Sequence, residues 1–222
     1  MERLPNNIFC FVRKALIFCL PNKSNLFRWK LVDSNECSMC KKGETMLHVF
    51  SNCPKYLDRY KWRHDFILKL VANKIDRSNT QNSIELYVDC EKTDYRCTSD
   101  LFESLRPDIV VIVGNKVIVI ELTVCFETNT EKSRNYKQDR YKSLKDQLLI
   151  ACEEFELIFI EFTTLGFISK QSYTPFHTFL KKLGINENRT IVKCMETSIR
   201  ATYFIFCRRN KEWKDPELLN FY

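Results

Sequence analysis

RPDIVVIVGNKVIVIELTV, residues 106–124, decides the fold. Two runs rich in β-branched residues, RPDIVVIV (106–113) and KVIVIELTV (116–124), are joined by Gly114-Asn115. Such side chains suit a pleated surface, and a Gly-first two-residue loop suits a type II′ hairpin. Both runs are almost continuously apolar, which predicts a sheet covered on both faces. Outward from the hairpin, residues 131–150 read as a long helix and LIFIEFTT (157–164) as another buried strand. A helix at 172–183 and a last segment at 190–207 follow. Upstream, residues 62–76 look helical, with Phe66, Ile67, Leu70, Val71 and Ile75 on one face, and 77–83 is a polar loop. Strand, strand, helix, strand with helices on either side predicts an α/β fold.

The hairpin also fixes a register. With Gly114 and Asn115 as the loop, Val113 pairs with Lys116 and Asp108 falls opposite Glu121. Directly opposed residues share a face, with Cβ atoms about 4.5–5.5 Å apart. Two carboxylates that close repel unless a proton or a cation lies between them. Mg²⁺, a hard cation that prefers oxygen, is the natural occupant. Thr123 points to the same side as Glu121. The competing reading makes Asp108 a strand start and Glu121 a solvated residue, but Glu121 sits deep in an apolar run. On the helix that follows, Lys137, Tyr141, Leu144 and Leu148 fall within a stripe of about 60°, which turns Lys137 towards the sheet and Lys142 away. A lysine that snorkels out of a core stripe is the alternative.

Upstream lies a second pattern. Cys37, Cys40, His48 and Cys53 have the spacing C-x2-C-x7-H-x4-C. Cys3His is one of the recurring ligand sets of structural zinc, and the tight cysteine pair grips one ion from a single turn. Three unrelated cysteines and a histidine are the competing reading. A closed site of four protein ligands is structural and marks a small folded module, of a kind that often touches nucleic acid.

The bulk numbers bound the rest. At 222 residues the chain has room for one ordinary domain and a small appendage. The formal net charge of +7 is compatible with nucleic acid. The apolar stretch Ile8 to Leu20, interrupted by Arg13 and Lys14, is too short to span a bilayer. Eleven cysteines form an odd count without a secretion signal. Three go to zinc, and Cys10, Cys19, Cys90, Cys97, Cys125, Cys152, Cys194 and Cys207 read as reduced thiols of an intracellular protein. Residues 5–20 read as an amphipathic helix, and the basic aromatic segment Lys55 to His64 follows the cysteine module.

Taken together, Pro107-Asp108, Glu121-x-Thr123 and Lys137-x2-Arg140-Tyr141 resemble the restriction-like endonuclease of non-long-terminal-repeat retrotransposons, a branch of the PD-(D/E)XK superfamily. In those elements a zinc knuckle of this spacing precedes the nuclease, and an Arg-His-Asp segment lies between them, matched by Arg63-His64-Asp65. LPNNIFCFVRKALIF and NLFRWK resemble the stretch after the reverse transcriptase core.

The resemblance implies a PD-(D/E)XK restriction-endonuclease-like core with a helical segment at 1–36, a Cys3His knuckle at 37–54 and a nuclease domain at 55–222. It implies Mg²⁺-dependent nicking of target DNA. Asp108 and Glu121 would hold catalytic Mg²⁺, and Lys137 would replace the lysine whose usual position Thr123 occupies. Arg140 stands where the family often has a second lysine, a departure. Arg59, Lys61, Arg63, His64, Arg134, Arg140, Lys142 and Lys145 would grip DNA, with the element's RNA as a further partner, in the nucleus. No polymerase signature occurs, so a C-terminal portion, a truncated copy or a host gene derived from such an element is expected. The alternatives are a catalytically silent nucleic-acid-binding remnant and a structural zinc protein that acts through protein partners.

Overall fold

The hairpin forms in the expected register. The computed structural model describes residues 4–81, 83–91, 93–102, 105–151 and 154–214, without the side chains of 100 and 143–151. Strand β1 (Ile84–Val88) precedes the hairpin, β2 (Ile109–Val113) and β3 (Lys116–Cys125) form it, and β4 (Glu154–Thr163) follows. Val113 pairs with Lys116 and Ile109 with Ile120. Gly114 takes φ +56° while Asn115 stays out of the left-handed region, as a type II′ turn requires.

The sheet has four strands in the order β1-β2-β3-β4. β1 pairs antiparallel with β2 and β2 with β3, and β4 runs parallel to β3 with Thr123 beside Glu161. That parallel step needs a crossover, supplied by helix α4 (Thr130–Ala151). The fold is mixed α/β.

Helices α1 (Asn6–Leu16), α2 (Lys23–Arg28), α3 (Leu57–Ser78), α5 (Lys170–Lys182) and α6 (Glu187–Cys207) complete the order. Asn22, Ser169 and Asn186 cap α2, α5 and α6, each side chain accepting an orphan backbone N–H. Alternation splits the strands between two layers. Ile109, Ile120 and Ile160 face α3, α5 and α6. Val110, Val119 and Phe159 face the opposite way, where Tyr141 of α4 packs on Phe159.

The cysteine module does not stand apart. Phe50 packs against Phe11 of α1, Phe126 after β3 and Phe206 of α6, in one core with Cys37 and Cys53. Gly166, φ +79°, lets the chain after β4 pass close to α6: a Cβ there would lie 2.6 Å from the Met195 carbonyl oxygen.

Two expectations shift, and one strand is additional to them. The helix expected at 5–20 stops at Leu16, because Phe18 turns left-handed and the Cys19 N–H closes on the Lys14 carbonyl. The helix expected at 62–76 starts at Leu57, so the segment after Pro54 is helical rather than a free basic strip. Strand β1 falls just after the polar loop; its Glu85 and half-buried edge give a weak strand signal.

Candidate active site and metal centre

Asp108 ends the approach to β2 and Glu121 lies across the hairpin on β3. Each carboxylate accepts a hydrogen bond from a backbone N–H of the other arm of the hairpin. The Leu122 amide donates to Asp108 Oδ2 at 2.7 Å, and the Asp108 amide donates to Glu121 Oε1 at 3.2 Å. Glu121 is 1% exposed and Asp108 8%. Among the described residues no hydrogen bond reaches Asp108 Oδ1, so one oxygen remains available.

Lys137 comes down from α4. Its ammonium forms an ion pair with Glu121 Oε2, so the helical stripe does bring this lysine over the sheet. Tyr141, one turn on, buries its hydroxyl near Glu121 without a hydrogen bond of good geometry. Leu144 and Leu148, the other stripe positions, lie in α4 with their side chains outside the described residues.

His64 reaches the same carboxylates from α3. Its Nε2 lies 3.1 Å from the Leu122 carbonyl oxygen and 3.4 Å from Asp108 Oδ2, and its Nδ1 lies 3.0 Å from Asp65 Oδ1. Carbonyls and carboxylates only accept, so both ring nitrogens must carry protons, which makes the ring an imidazolium. Burial opposes that charge, but Asp108 and Asp65 outweigh it and lift His64 to about 10. For Asp108, burial also opposes ionisation, yet the His64 charge and hydrogen bond hold its carboxyl below the usual range. Glu121 goes the other way: burial, then the charge of Asp108, raises it, although Lys137 pulls it back. The two carboxylates are therefore unlike.

A third carboxylate was not anticipated. Glu161 of β4 lies beside Thr123, on the sheet face that carries Glu121. It is buried, accepts from Ser172 Oγ of α5 at 2.5 Å and pairs with Arg134 Nη2 at 2.5 Å. In sequence Glu161 is one acidic residue inside an apolar strand, the same signal that singled out Glu121.

Several residues expected to grip DNA are used for packing instead. Arg134 is held by Glu161. Arg59 is buried, donates to the Arg208 and Lys211 carbonyls and lies over the Tyr56 ring. Arg63 is buried and donates to Thr202 Oγ1 at 3.0 Å. His64 faces Asp108. Arg59 and Arg63 are turned into the interior, where their Nε atoms are buried as well, so neither guanidinium is presented to a phosphate at the surface. Lys61 is exposed and paired with Glu91 at 2.7 Å, and Arg140 and Lys142 are exposed on α4. Lys145 lies in α4 with its side chain outside the described residues.

The second site is the Cys–His cluster. The ligand atoms of Cys37, Cys40, His48 and Cys53 all lie within 4.8 Å of one another. Cys37 and Cys53 sulfurs are 4.0 Å apart, Cys53 and Cys40 3.8 Å, and Cys40 Sγ is 3.3 Å from His48 Nε2. Tetrahedral zinc with Zn–S of about 2.3 Å needs sulfurs about 3.8 Å apart. The donor set and spacing fit: these four residues can hold a metal ion, compatible with zinc. Burial holds His48 below its ordinary value, in the neutral form that binds metal, and pushes Cys53 up to about 12, so a thiolate there needs a cation. The other described cysteines are free thiols; Cys152 lies outside the described residues.

The described helices include none long and apolar enough to cross a membrane. No family model and no curated protein matches the chain.

Proposed function

We propose that this chain is a metal-dependent deoxyribonuclease of PD-(D/E)XK type that nicks DNA by phosphodiester hydrolysis, with a structural zinc knuckle, as the retrotransposon resemblance implies. The observation that carries the reading is the Asp108–Glu121 pair with the Lys137 ammonium against it. Two buried carboxylates across one hairpin supply hard oxygen donors, and Asp108 Oδ1 is uncommitted, which fits Mg²⁺.

When bound, Mg²⁺ would supply Lewis-acid polarisation of a phosphate oxygen and a water of lowered pKa. The chain supplies the rest. Asp108 and Glu121 would be its ligands, and the cross-strand amides fix both carboxylates before any substrate arrives. His64 keeps Asp108 ionised and immobile. Lys137, once released from Glu121 by the metal, would stabilise charge on a phosphate lying over the carboxylates in the transition state. Thr123 is a neutral hydroxyl on the same face and carries no cation, so that charge falls to Lys137. Arg140, Lys142 and Lys61 are exposed cations suited to the backbone of DNA.

The test is a plasmid-nicking assay on zinc-loaded protein with and without Mg²⁺. Supercoiled plasmid should relax only with the divalent ion. DNA binding without nicking in either Mg²⁺ or Mn²⁺ would favour a silent binding remnant, and indifference to DNA would favour a structural zinc protein.

A further inference from the structure

Away from the carboxylates, α3 and α6 enclose a cleft of about 290 Å³ lined by Leu70, Asn73, Lys74, Arg77, Arg189, Thr190 and Lys193. That is close to the small end of ligand pockets, ~300–1,000 Å³. Residues 70, 73, 74 and 77 form one stripe of α3, and 189, 190 and 193 come from the first turns of α6. Four cations thus converge from two helices, with no carboxylate among the lining residues. Lys74, Arg77 and Arg189 make no ion pair among the described residues. The nearest acidic residue in sequence to Arg189, Glu187, is paired with His177 at 3.3 Å.

The uncharged lining agrees with an anion. The Tyr95 hydroxyl donates to Asn73 Oδ1 at 2.7 Å, which leaves the Asn73 amide N–H groups to donate elsewhere. Leu70 gives the cleft an apolar floor, and the positive end of α6 adds to the field. Lys74, Arg77 and Arg189 line one concavity, and a bound anion would lower their mutual repulsion. Arginine forks and lysine ammoniums together match phosphate oxygens.

We propose that this cleft is a phosphate-binding site separate from the carboxylate site, accepting phosphates of a nucleic-acid strand or of a small polyphosphate. Its two α3 cations, Lys74 and Arg77, lie ten and thirteen residues beyond His64 along the helix, roughly 15–20 Å at 1.5 Å per residue. A strand held there would be anchored by the helix that also carries His64 to Asp108.

The experiment uses the full chain, zinc-loaded, without added divalent metal so that no cleavage intervenes and with no chelator to strip zinc. Anisotropy titrations with a short duplex and a single-stranded oligonucleotide, and calorimetry with tripolyphosphate, compare the parent with Arg77→Glu/Arg189→Glu. Loss of about tenfold or more in oligonucleotide affinity, with the salt slope reduced by about two, assigns the site to nucleic acid. Loss of tripolyphosphate binding with oligonucleotide binding unchanged assigns it to a small polyphosphate. A folded variant, by circular dichroism, that binds all three probes like the parent overturns the proposal. Arg77→Gln/Arg189→Gln serves as the milder pair should the charge reversal fail to fold. Absence of plasmid nicking would count against the nuclease reading and leave these outcomes untouched.

Discussion

Asp108 and Glu121 hold one another through the backbone: Glu121 Oε1 accepts the Asp108 amide at 3.2 Å, while Asp108 Oδ2 accepts the amide that follows Glu121, at 2.7 Å. Neither carboxylate can swing away without leaving a buried N–H unpaired, which costs about 1–3 kcal/mol. The pair is therefore set by the hairpin register rather than by side-chain choice. A one-residue slip would send Glu121 to the other face.

Replacing Asp108 by alanine tests its role as a ligand. Asp108→Ala should abolish nicking and leave DNA affinity intact or slightly tighter, because a negative charge facing phosphate is removed. Nicking equal to the parent would show that the metal is held elsewhere. A loss of both folding and binding would be a stability effect, so the variant's unfolding midpoint is measured alongside.

His64 gives a pH signature. Its folded value, about 10, lies above the ordinary 6.5, so folding favours the protonated ring. The stability it contributes is fully present below pH 6.5 and is lost as pH rises through about 10. The side chain is 23% exposed, so the contribution is on the order of a few kcal/mol. Denaturation without added Mg²⁺ should show stability falling across that window, and His64→Gln should flatten the fall relative to the parent. Parallel pH profiles for the two proteins would show that the ring is not charged in the fold.

The parts of this arrangement that a linear reading reaches are those set by short-range rules. Gly114-Asn115 fixes the turn, the turn fixes the register, and the register brings Asp108 to Glu121. Helical spacing brings Lys137 to the same place, and C-x2-C-x7-H-x4-C gathers four ligand atoms. What escapes is tertiary. Arg59, Arg63 and Arg134 look like surface cations because they are arginines in a basic stretch; only the packing of α3 on α6 shows the first two buried, and that of α4 on β4 shows Arg134 half-buried against Glu161. His64 and Glu161 each carry a signal in sequence, but their partners lie 44 and 27 residues away. Strand β1 carries Glu85 within its five residues and has no adjoining hairpin turn, so it does not stand out.

Metal removal should loosen more than the knuckle. Cys37, Cys53 and Phe50 share a core with Phe126 and Phe206, and Tyr56, beside Cys37, bonds to the Arg209 carbonyl. Metal analysis should give close to one zinc per chain, and Cys40→Ser should release it. Thermal unfolding of the metal-free protein should then shift as one transition, since the module has no core of its own. A separate low-temperature transition with the remainder unchanged would mean that the module is an independent appendage.

Gly166→Ala addresses the packing of β4 on α6. A methyl there would sit 2.6 Å from the Met195 carbonyl oxygen and 2.7 Å from Ile199 Cγ1, at φ +79°. The backbone contact cannot yield, and the left-handed conformation adds strain. Urea unfolding should show a loss of about 2–4 kcal/mol. A loss under about 0.5 kcal/mol, the size of an ordinary surface substitution, would show that this turn sits farther from α6.

Lys137 separates chemistry from binding most sharply. Its ammonium rests on Glu121, a carboxylate with no exposure at its side chain, whereas Lys142 on the same helix points to solvent. In the endonuclease reading, Lys137→Ala should slow the chemical step about 10²-fold or more, the cost of losing one transition-state donor. Without Mg²⁺ it should also destabilise the protein by about 3–5 kcal/mol, because Glu121 loses its buried partner. Mg²⁺ should recover part of that stability by neutralising the same carboxylate, so the variant's melting temperature should rise more with Mg²⁺ than the parent's. Lys142→Ala should instead weaken binding in a salt-dependent way and leave the single-turnover rate at saturating DNA unchanged. If Lys137→Ala cleaves like the parent while remaining destabilised, the ammonium is a counter-ion for Glu121 and the cation that meets the phosphate lies elsewhere.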